Sequence, residues 1–260
     1  MSSTGLKVLS EKGDIAKEVS KANIEFYNRI AEVYEEIDGR RNVSLLSWIG
    51  RTMEGLGKTA PANNRLLDLG CGRGVVLTQA APHFRHVYGM DISSEILKGA
   101  KCSSNSLICA DGAGIPLKSG SVDVVVCFAV LHHIYDHGSL FREIHRVLRD
   151  NGILYTDHDM DSAFMERFKL LMRVYRFIFS ASRRYRRAGK GITDELYRMT
   201  EIHSEGLDSS RILEGLKDAG FGKIENSYHW YGLNGITNRL FGHRQYSRGS
   251  APLLTVLARK

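Results

Sequence analysis

Apolar side chains recur along this chain with two different periods. From Asn23 to Ile37, the residues Ile24, Phe26, Tyr27, Ile30, Val33, Tyr34 and Ile37 fall at the three-to-four spacing of one helix face. Leu45, Leu46, Trp48, Ile49 and Met53 repeat that spacing over 43–56, and Gly55, Gly57, Pro61 and Asn63–Asn64 then mark a linker. Beyond it the pattern becomes short apolar runs at 65–69, 86–90, 106–109, 122–128 and 152–157, separated by helical segments. Strands that alternate with helices imply a parallel sheet, because each parallel strand needs a crossover, and the crossovers are expected to be right-handed. Residues 162–200 interrupt this rhythm with a helical pattern rich in aromatics and arginine. A helix is predicted over 208–219 with Ile212, Leu213 and Leu216 facing inward, ending at Gly220, and strands near 223–229 and 253–258 close the sheet. Residues 1–20 are polar and are expected to be mobile. The predicted fold is α/β: a doubly wound, mostly parallel seven-stranded sheet with N-terminal helices and a helical insertion after strand five.

Composition narrows the class. The 260 residues, 43% of them hydrophobic, suit one large domain, or one domain with an added subdomain. No apolar run reaches the roughly eighteen residues of a spanning helix, and the N-terminus lacks the apolar segment of a secretory signal. Cys71, Cys102, Cys109 and Cys127 show no CxxC spacing, so neither structural zinc nor a disulfide framework is expected, and a reducing cytoplasm fits. The net charge of +7 favours acidic partners only weakly.

The main chemical signal is Leu66-Leu67-Asp68-Leu69-Gly70-Cys71-Gly72-Arg73-Gly74. An apolar strand runs into glycines at alternate positions and then into a helix beginning at Val75. Glycine permits a sharp turn and lets a ligand approach bare backbone, and the helix start offers unpaired N–H groups. A ligand-free strand–helix turn would look similar. Asp91 adds to the signal: it ends the next strand, where an acid bonds a ribose hydroxyl pair in dinucleotide folds. The spacing here is GxGxG with an acid two residues upstream, not the GxGxxG usual in dehydrogenases.

These segments, with YGMDIS, CADGAGIPLKSGSVDVVVCFAVLHHI and REIHRVLRDNGILY, resemble the successive motifs of class I S-adenosylmethionine (SAM) dependent methyltransferases. The likeness is to the branch holding the ubiquinone and menaquinone C-methyltransferases and many small-molecule methyltransferases. It covers roughly 22–160 and the 200–221 stretch that ends in LKDAGF. The resemblance implies SAM as cofactor. Asp68, Gly70, Cys71, Gly72 and Gly74 would line its methionine and ribose part, with Asp68 helping to neutralise its ammonium. Asp91 would bind the ribose hydroxyls and Ile92 would pack on adenine. Asp111 would accept from the adenine amino group, with Gly112 beside it. Phe128 and Ala129 would lie under the sulfonium, and Tyr27 and Tyr34 match tyrosines of the family's lid helix. On this reading 1–60 is a helical lid, 61–161 the SAM-binding core, 162–205 a substrate cap and 206–260 the rest of the core sheet.

Methyl transfer needs alignment above all, and a base only if the acceptor must lose a proton. His133, in Leu131-His132-His133-Ile134, and His158, between Asp157 and Asp159, are the candidate catalytic residues. The acids around His158 could orient substrate, raise the ring's pKa or bind a divalent ion, although Asp161 and Ser162 also suit helix caps. No metal is required in principle. Residues 167–190 hold nine Lys/Arg and no acid, interleaved with Phe168, Leu171, Tyr175, Ile178 and other apolar residues. This segment suits an ordinary substrate cap, peripheral membrane contact through 164–187, a homodimer contact, or RNA. The leading reading is an enzyme methylating a small, hydrophobic or lipid-like acceptor in the cytoplasm or at a membrane surface. The alternatives are a tRNA methyltransferase, although no nucleic-acid module is recognisable, and a non-catalytic SAM-binding protein.

Overall fold

The computed structural model describes residues 3–38, 43–60, 64–100, 106–178, 185, 191–233 and 235–260. Within these, β1 (Arg65–Leu69), β2 (His86–Asp91), β3 (Ser106–Cys109), β4 (Val122–Phe128), β5 (Leu148–Met160), β6 (Lys223–His229) and β7 (Leu253–Arg259) form one seven-stranded sheet, ordered β3-β2-β1-β4-β5-β7-β6. The first five are mutually parallel, and β7 runs antiparallel to both β5 and β6. The expected sheet is therefore present, with its strands within a residue of the apolar runs except β5, which starts four residues before 152–157 and ends three after it.

Period-two alternation distributes the core over both faces. Leu66, Val124, Val126, Ile153 and Tyr155 face α3 (Val43–Thr59) and α4 (Val75–Ala80), where they meet Leu45, Ile49, Met53 and Val76. Their chain neighbours Leu67, Val125, Cys127 and Leu154 point the other way, toward α6 (His137–Val147) and α10 (Ser209–Asp218), which supply Leu140, Phe141, Ile144, Ile212 and Leu216. Strands buried on both faces explain why β1 and β4 read as nearly unbroken apolar runs.

The chain leaves β1 toward β2 and β3 on one side, then returns to place β4 on the other. That reversal opens a crevice at the carboxyl ends of β1 and β4, where ligands of such sheets bind. The other helices are α1 (Ser3–Ile30), α2 (Tyr34–Asp38), α5 (Ser94–Lys98), α7 (Ser162–Arg167), α8 (Lys169–Ile178), α9 (Asp194–Thr200) and α11 (Gly235–Phe241). One of them corrects an expectation: residues 3–20 are the first turns of α1 and not a loose tail. Over 12–20 this helix contacts the protein along a narrow stripe, with Val19 buried, Ala16 and Ser20 half-buried, and Lys17 and Glu18 exposed. No helix among the described residues is long and apolar enough to cross a membrane.

Candidate active site

After β1 the backbone is left-handed at Gly70, Gly72 and Gly74, with φ of 72°, 53° and 82°. A Cβ on Gly70 would come within 2.4 Å of Val130, and one on Gly72 within 3.2 Å of the Tyr34 hydroxyl, so the loop presents bare backbone. Asp91 reaches back from the end of β2 to this loop. Its Oδ2 accepts from the Gly72 N–H at 2.9 Å, and its Oδ1 accepts from the Ser93 N–H at 2.9 Å. Burial raises its pKa, against the lowering effect of those N–H groups.

One cavity is lined by Tyr27, Tyr34, Gly70, Gly72, Asp91, Ile92, Asp111, Gly112, Phe128, Ala129 and His133. A second lobe shares Tyr34, Gly70, Gly72 and Phe128 with it and adds Asp68 and Cys71. Of the expected cofactor residues only Gly74 lines neither lobe, since it forms the left-handed N-cap of α4. Asp68 is 1% exposed, and its Oδ2 has no hydrogen-bond partner. Burial, then the nearby Asp91 carboxylate, pushes its pKa well above the usual range. A ligand with an ammonium for Asp68 and hydroxyls for Asp91, threaded past the glycines, satisfies this arrangement, and SAM carries both groups.

Helix α1 closes the crevice from above. Asn28 Oδ1 accepts from the Ser93 hydroxyl at 2.7 Å on the β2 side, and Asn23 Nδ2 donates to the His133 carbonyl at 3.2 Å on the β4 side. The Arg73 guanidinium also donates to the Ala31 carbonyl. This tether was not legible in the sequence, and Ala16, Val19, Ser20 and Asn23 join the cavity wall because of it.

His133 ends a tight turn, Leu131–His133, that follows β4. Its Nδ1 lies 2.8 Å from the Thr200 carbonyl oxygen, which can only accept, so Nδ1 carries the proton in the neutral ring. Nε2 then presents a lone pair, to which the Tyr27 hydroxyl donates at 2.7 Å. Asp159 holds the turn in place: its carboxylate accepts from the Leu131 N–H at 3.3 Å, the His132 N–H at 3.1 Å and His132 Nδ1 at 2.6 Å. Glu201, at the end of α9, is a further cavity residue that sequence reasoning missed.

His158 sits elsewhere. Its backbone is left-handed, with φ of 67°, and its ring stacks on Phe128 at 4.3 Å, so it meets the cavity only through that ring. Its Nδ1 lies 3.1 Å from Asp157 Oδ1, and its Nε2 has no hydrogen-bond partner. Asp157 is fully buried and accepts from Trp48 Nε1 at 2.9 Å, the Tyr155 hydroxyl at 2.7 Å and His229 Nε2 at 2.8 Å. Burial alone would raise its pKa, but the His158 and His229 rings outweigh that and hold it well below the usual range.

Two groups among the described residues bring three potential metal ligands within 4.8 Å: His132, His133 and Glu201, and Asp157, His158 and His229. In the second, His229 donates through Nε2 and accepts the Tyr231 N–H through Nδ1 at 3.2 Å, which leaves a neutral ring no lone pair for a metal. In the first, the Tyr27 hydroxyl engages the lone pair of His133. Hydrogen bonds thus occupy His133 in the first group and join Asp157 to His229 in the second.

The seven-stranded sheet with its crevice at the carboxyl ends of β1 and β4 is the fold of class I SAM-dependent methyltransferases. Residues 67–156 match the family model described as a methyltransferase domain. The chain is 32% identical over 153 residues to the malonyl-[acyl-carrier protein] O-methyltransferase of Legionella pneumophila, covering 56% of this chain and 50% of the relative. It is 28% identical over 117 residues to the ubiquinone biosynthesis O-methyltransferase of Bordetella pertussis, covering 42% and 46%. The chain thus spans about half the length of these curated relatives. A solved SAM-dependent methyltransferase from Thermotoga maritima, described as a possible histamine N-methyltransferase, superposes with a TM-score of 0.58 at 13% identity, covering 91% of this chain and 99% of that one. At that identity the likeness speaks for the fold alone.

Proposed function

We propose that the protein transfers a methyl group from SAM to a small, hydrophobic or lipid-like acceptor, and that His133 takes the proton the acceptor loses. The observation that carries this reading is the Tyr27–His133 pair. A neutral imidazole has its Nδ1–H fixed on a carbonyl, so a basic Nε2 points at the Tyr27 hydroxyl in the cavity that also holds the expected SAM residues. Bound SAM supplies a methyl carbon activated by cationic sulfur. Asp68 would hold its ammonium, Asp91 its ribose hydroxyls, and Asp111 with Ile92 and Gly112 its adenine. Phe128 and Ala129 would bound the reacting end; Ala129 is fixed in a left-handed conformation, φ 56°, by an N–H bond to the Asp157 carbonyl at 2.7 Å.

An acceptor O–H or N–H that displaces the Tyr27 hydroxyl would donate to Nε2 directly; otherwise Tyr27 would relay the proton. The positive ring so formed keeps its Nδ1–H bond to Thr200. Ala16, Val19, Ile134 and Tyr135 give the wall an apolar stretch suited to an apolar acceptor. From the insertion, Tyr185 and Glu201 reach this wall, and none of the described side chains of α8 does; those of Tyr175 and Ile178 lie outside the described residues. Two relatives whose names specify O-methylation favour an oxygen acceptor.

The experiment is transfer from labelled SAM into fatty-acid, phenol and thioester panels, with tRNA and acceptor-free arms. Label in an apolar small molecule, lost in His133→Gln, is the expected result. Label in tRNA alone, or none with any acceptor, would overturn the reading.

A further inference from the structure

On α8, Leu170, Leu171, Val174 and Phe177 are 76%, 59%, 50% and 77% exposed. Leu170, Val174 and Phe177 are four and three residues apart and form one stripe, while Lys169 and Arg173, also four apart, form a basic stripe beside it. Helix α11 buries none of its residues; its Ile236 and Leu240 are 73% and 67% exposed. A row of rings joins the two helices: Phe168 on Phe164 at 4.7 Å, Phe164 edge-on to Trp230 at 5.1 Å, and Trp230 stacked on Phe241 at 4.6 Å. Single exposed apolar residues need no explanation, but contiguous ones mark an interaction surface.

Charge is concentrated in the same places. The stretches 167–190 and 226–260 hold 14 of the chain's 36 Lys/Arg and no Asp or Glu, which leaves 22 basic against 29 acidic residues everywhere else. The whole positive excess of the protein therefore lies in the two stretches that carry these helices. Some of it is already engaged. Arg248 bonds Asp208, Lys260 caps the carbonyls of His145 and Leu148, and Lys169 pairs with Glu166 at 3.1 Å. Arg173 on α8, and Arg239 and Arg244 on and after α11, remain to act on a partner.

We infer that α8 and α11 form a docking surface for an anionic lipid membrane, lying in the headgroup interface without spanning it. A lipid surface takes up both features at once, as apolar side chains sink below the headgroups and Arg and Lys meet the phosphates. A second copy of this face would set its excess positive charge against like charge, and a nucleic acid would leave the aliphatic stripes in water. The inference does not depend on methyl transfer, and its test needs no acceptor.

The test is co-sedimentation of the full chain with vesicles of phosphatidylcholine alone and of equal parts phosphatidylcholine and phosphatidylglycerol. Light scattering, circular dichroism and SAM affinity are followed in parallel. Wild-type protein is expected to pellet with the anionic vesicles, less so as salt is raised. Arg173→Glu with Arg239→Glu should weaken partitioning by roughly fivefold or more per residue. Leu170→Gln with Phe177→Gln, and separately Ile236→Gln with Leu240→Gln, should each weaken it by roughly tenfold or more. These side chains are exposed, so circular dichroism and SAM affinity should stay as in wild type. Three results would overturn the proposal: wild-type protein that stays in the supernatant at low salt, apolar variants that bind vesicles as wild type does, or a dimer that dissociates in those variants with no vesicle binding.

Discussion

The Tyr27 hydroxyl stands 2.7 Å from His133 Nε2, joining α1 to the turn after β4. Because the other ring nitrogen faces the Thr200 carbonyl, the pair has a direction: the hydroxyl donates and the imidazole accepts. His133→Gln should lower kcat by ~10²-fold, the usual contribution of a positioned base, while SAM affinity changes far less. Tyr27→Phe should cost less, on the order of tenfold, if the hydroxyl relays or orients. Rate–pH profiles give the check. The acid limb of the wild-type profile should vanish in His133→Gln, and its persistence would remove His133 from the proton transfer.

Asp68 makes SAM binding pH-dependent. Its pKa is raised, chiefly by burial and then by Asp91, so it becomes protonated at a higher pH than an ordinary carboxyl. An ionised Asp68 attracts an ammonium and a protonated one does not. Affinity for SAM should therefore fall as pH drops through the raised value, while Asp68→Asn should bind weakly with a flatter dependence. Calorimetric titration across the acid range reads both.

Asp157 has a structural task. Trp48, Tyr155 and His229 all donate to this fully buried carboxylate, which links α3, β5 and β6. Asp157→Asn replaces one acceptor oxygen by a donor and removes the charge, and should cost ~3–5 kcal/mol of stability, as for other broken buried pairs. The pH sign follows from its depressed folded-state pKa. Its stabilisation is complete above the unfolded value of ~3.9 and is lost as pH falls through the lower folded value. Urea unfolding at neutral and acid pH should show wild type losing stability at the acid end, with the Asn variant lacking this part of the loss.

The sheet and the glycine loop were legible because local pattern decides them. Doubly buried strands such as Leu66–Leu69 and Val124–Cys127 must be apolar, and Gly70 and Gly72 mark a turn that no other residue enters without strain. What escaped depends on distant partners. The N-terminal half of α1 looks like a polar tail, because only the cavity wall that Ala16, Val19 and Ser20 join reveals what it covers. His158 follows the apolar run 152–157 in sequence but lies within the longer β5, where its left-handed backbone lays the ring on Phe128, and nothing near it in sequence signals that. Residues 167–178 read as an amphipathic helix, but periodicity does not say which face meets water; in the structure the Leu170–Phe177 stripe does.

SAM is expected to lie between α1 and the carboxyl ends of β1, β2 and β4, held by Asp91 and the bare backbone of Gly72. Isothermal calorimetry with SAM on wild type, Asp91→Ala and Gly72→Val tests it most directly. Wild type should bind without added metal. Asp91→Ala should lose ~1–3 kcal/mol through its charge-assisted bonds, and Gly72→Val, whose side chain would enter the cavity beside Tyr34 from a left-handed backbone, should show no measurable binding. Equal affinity for SAM in all three proteins would contradict the account.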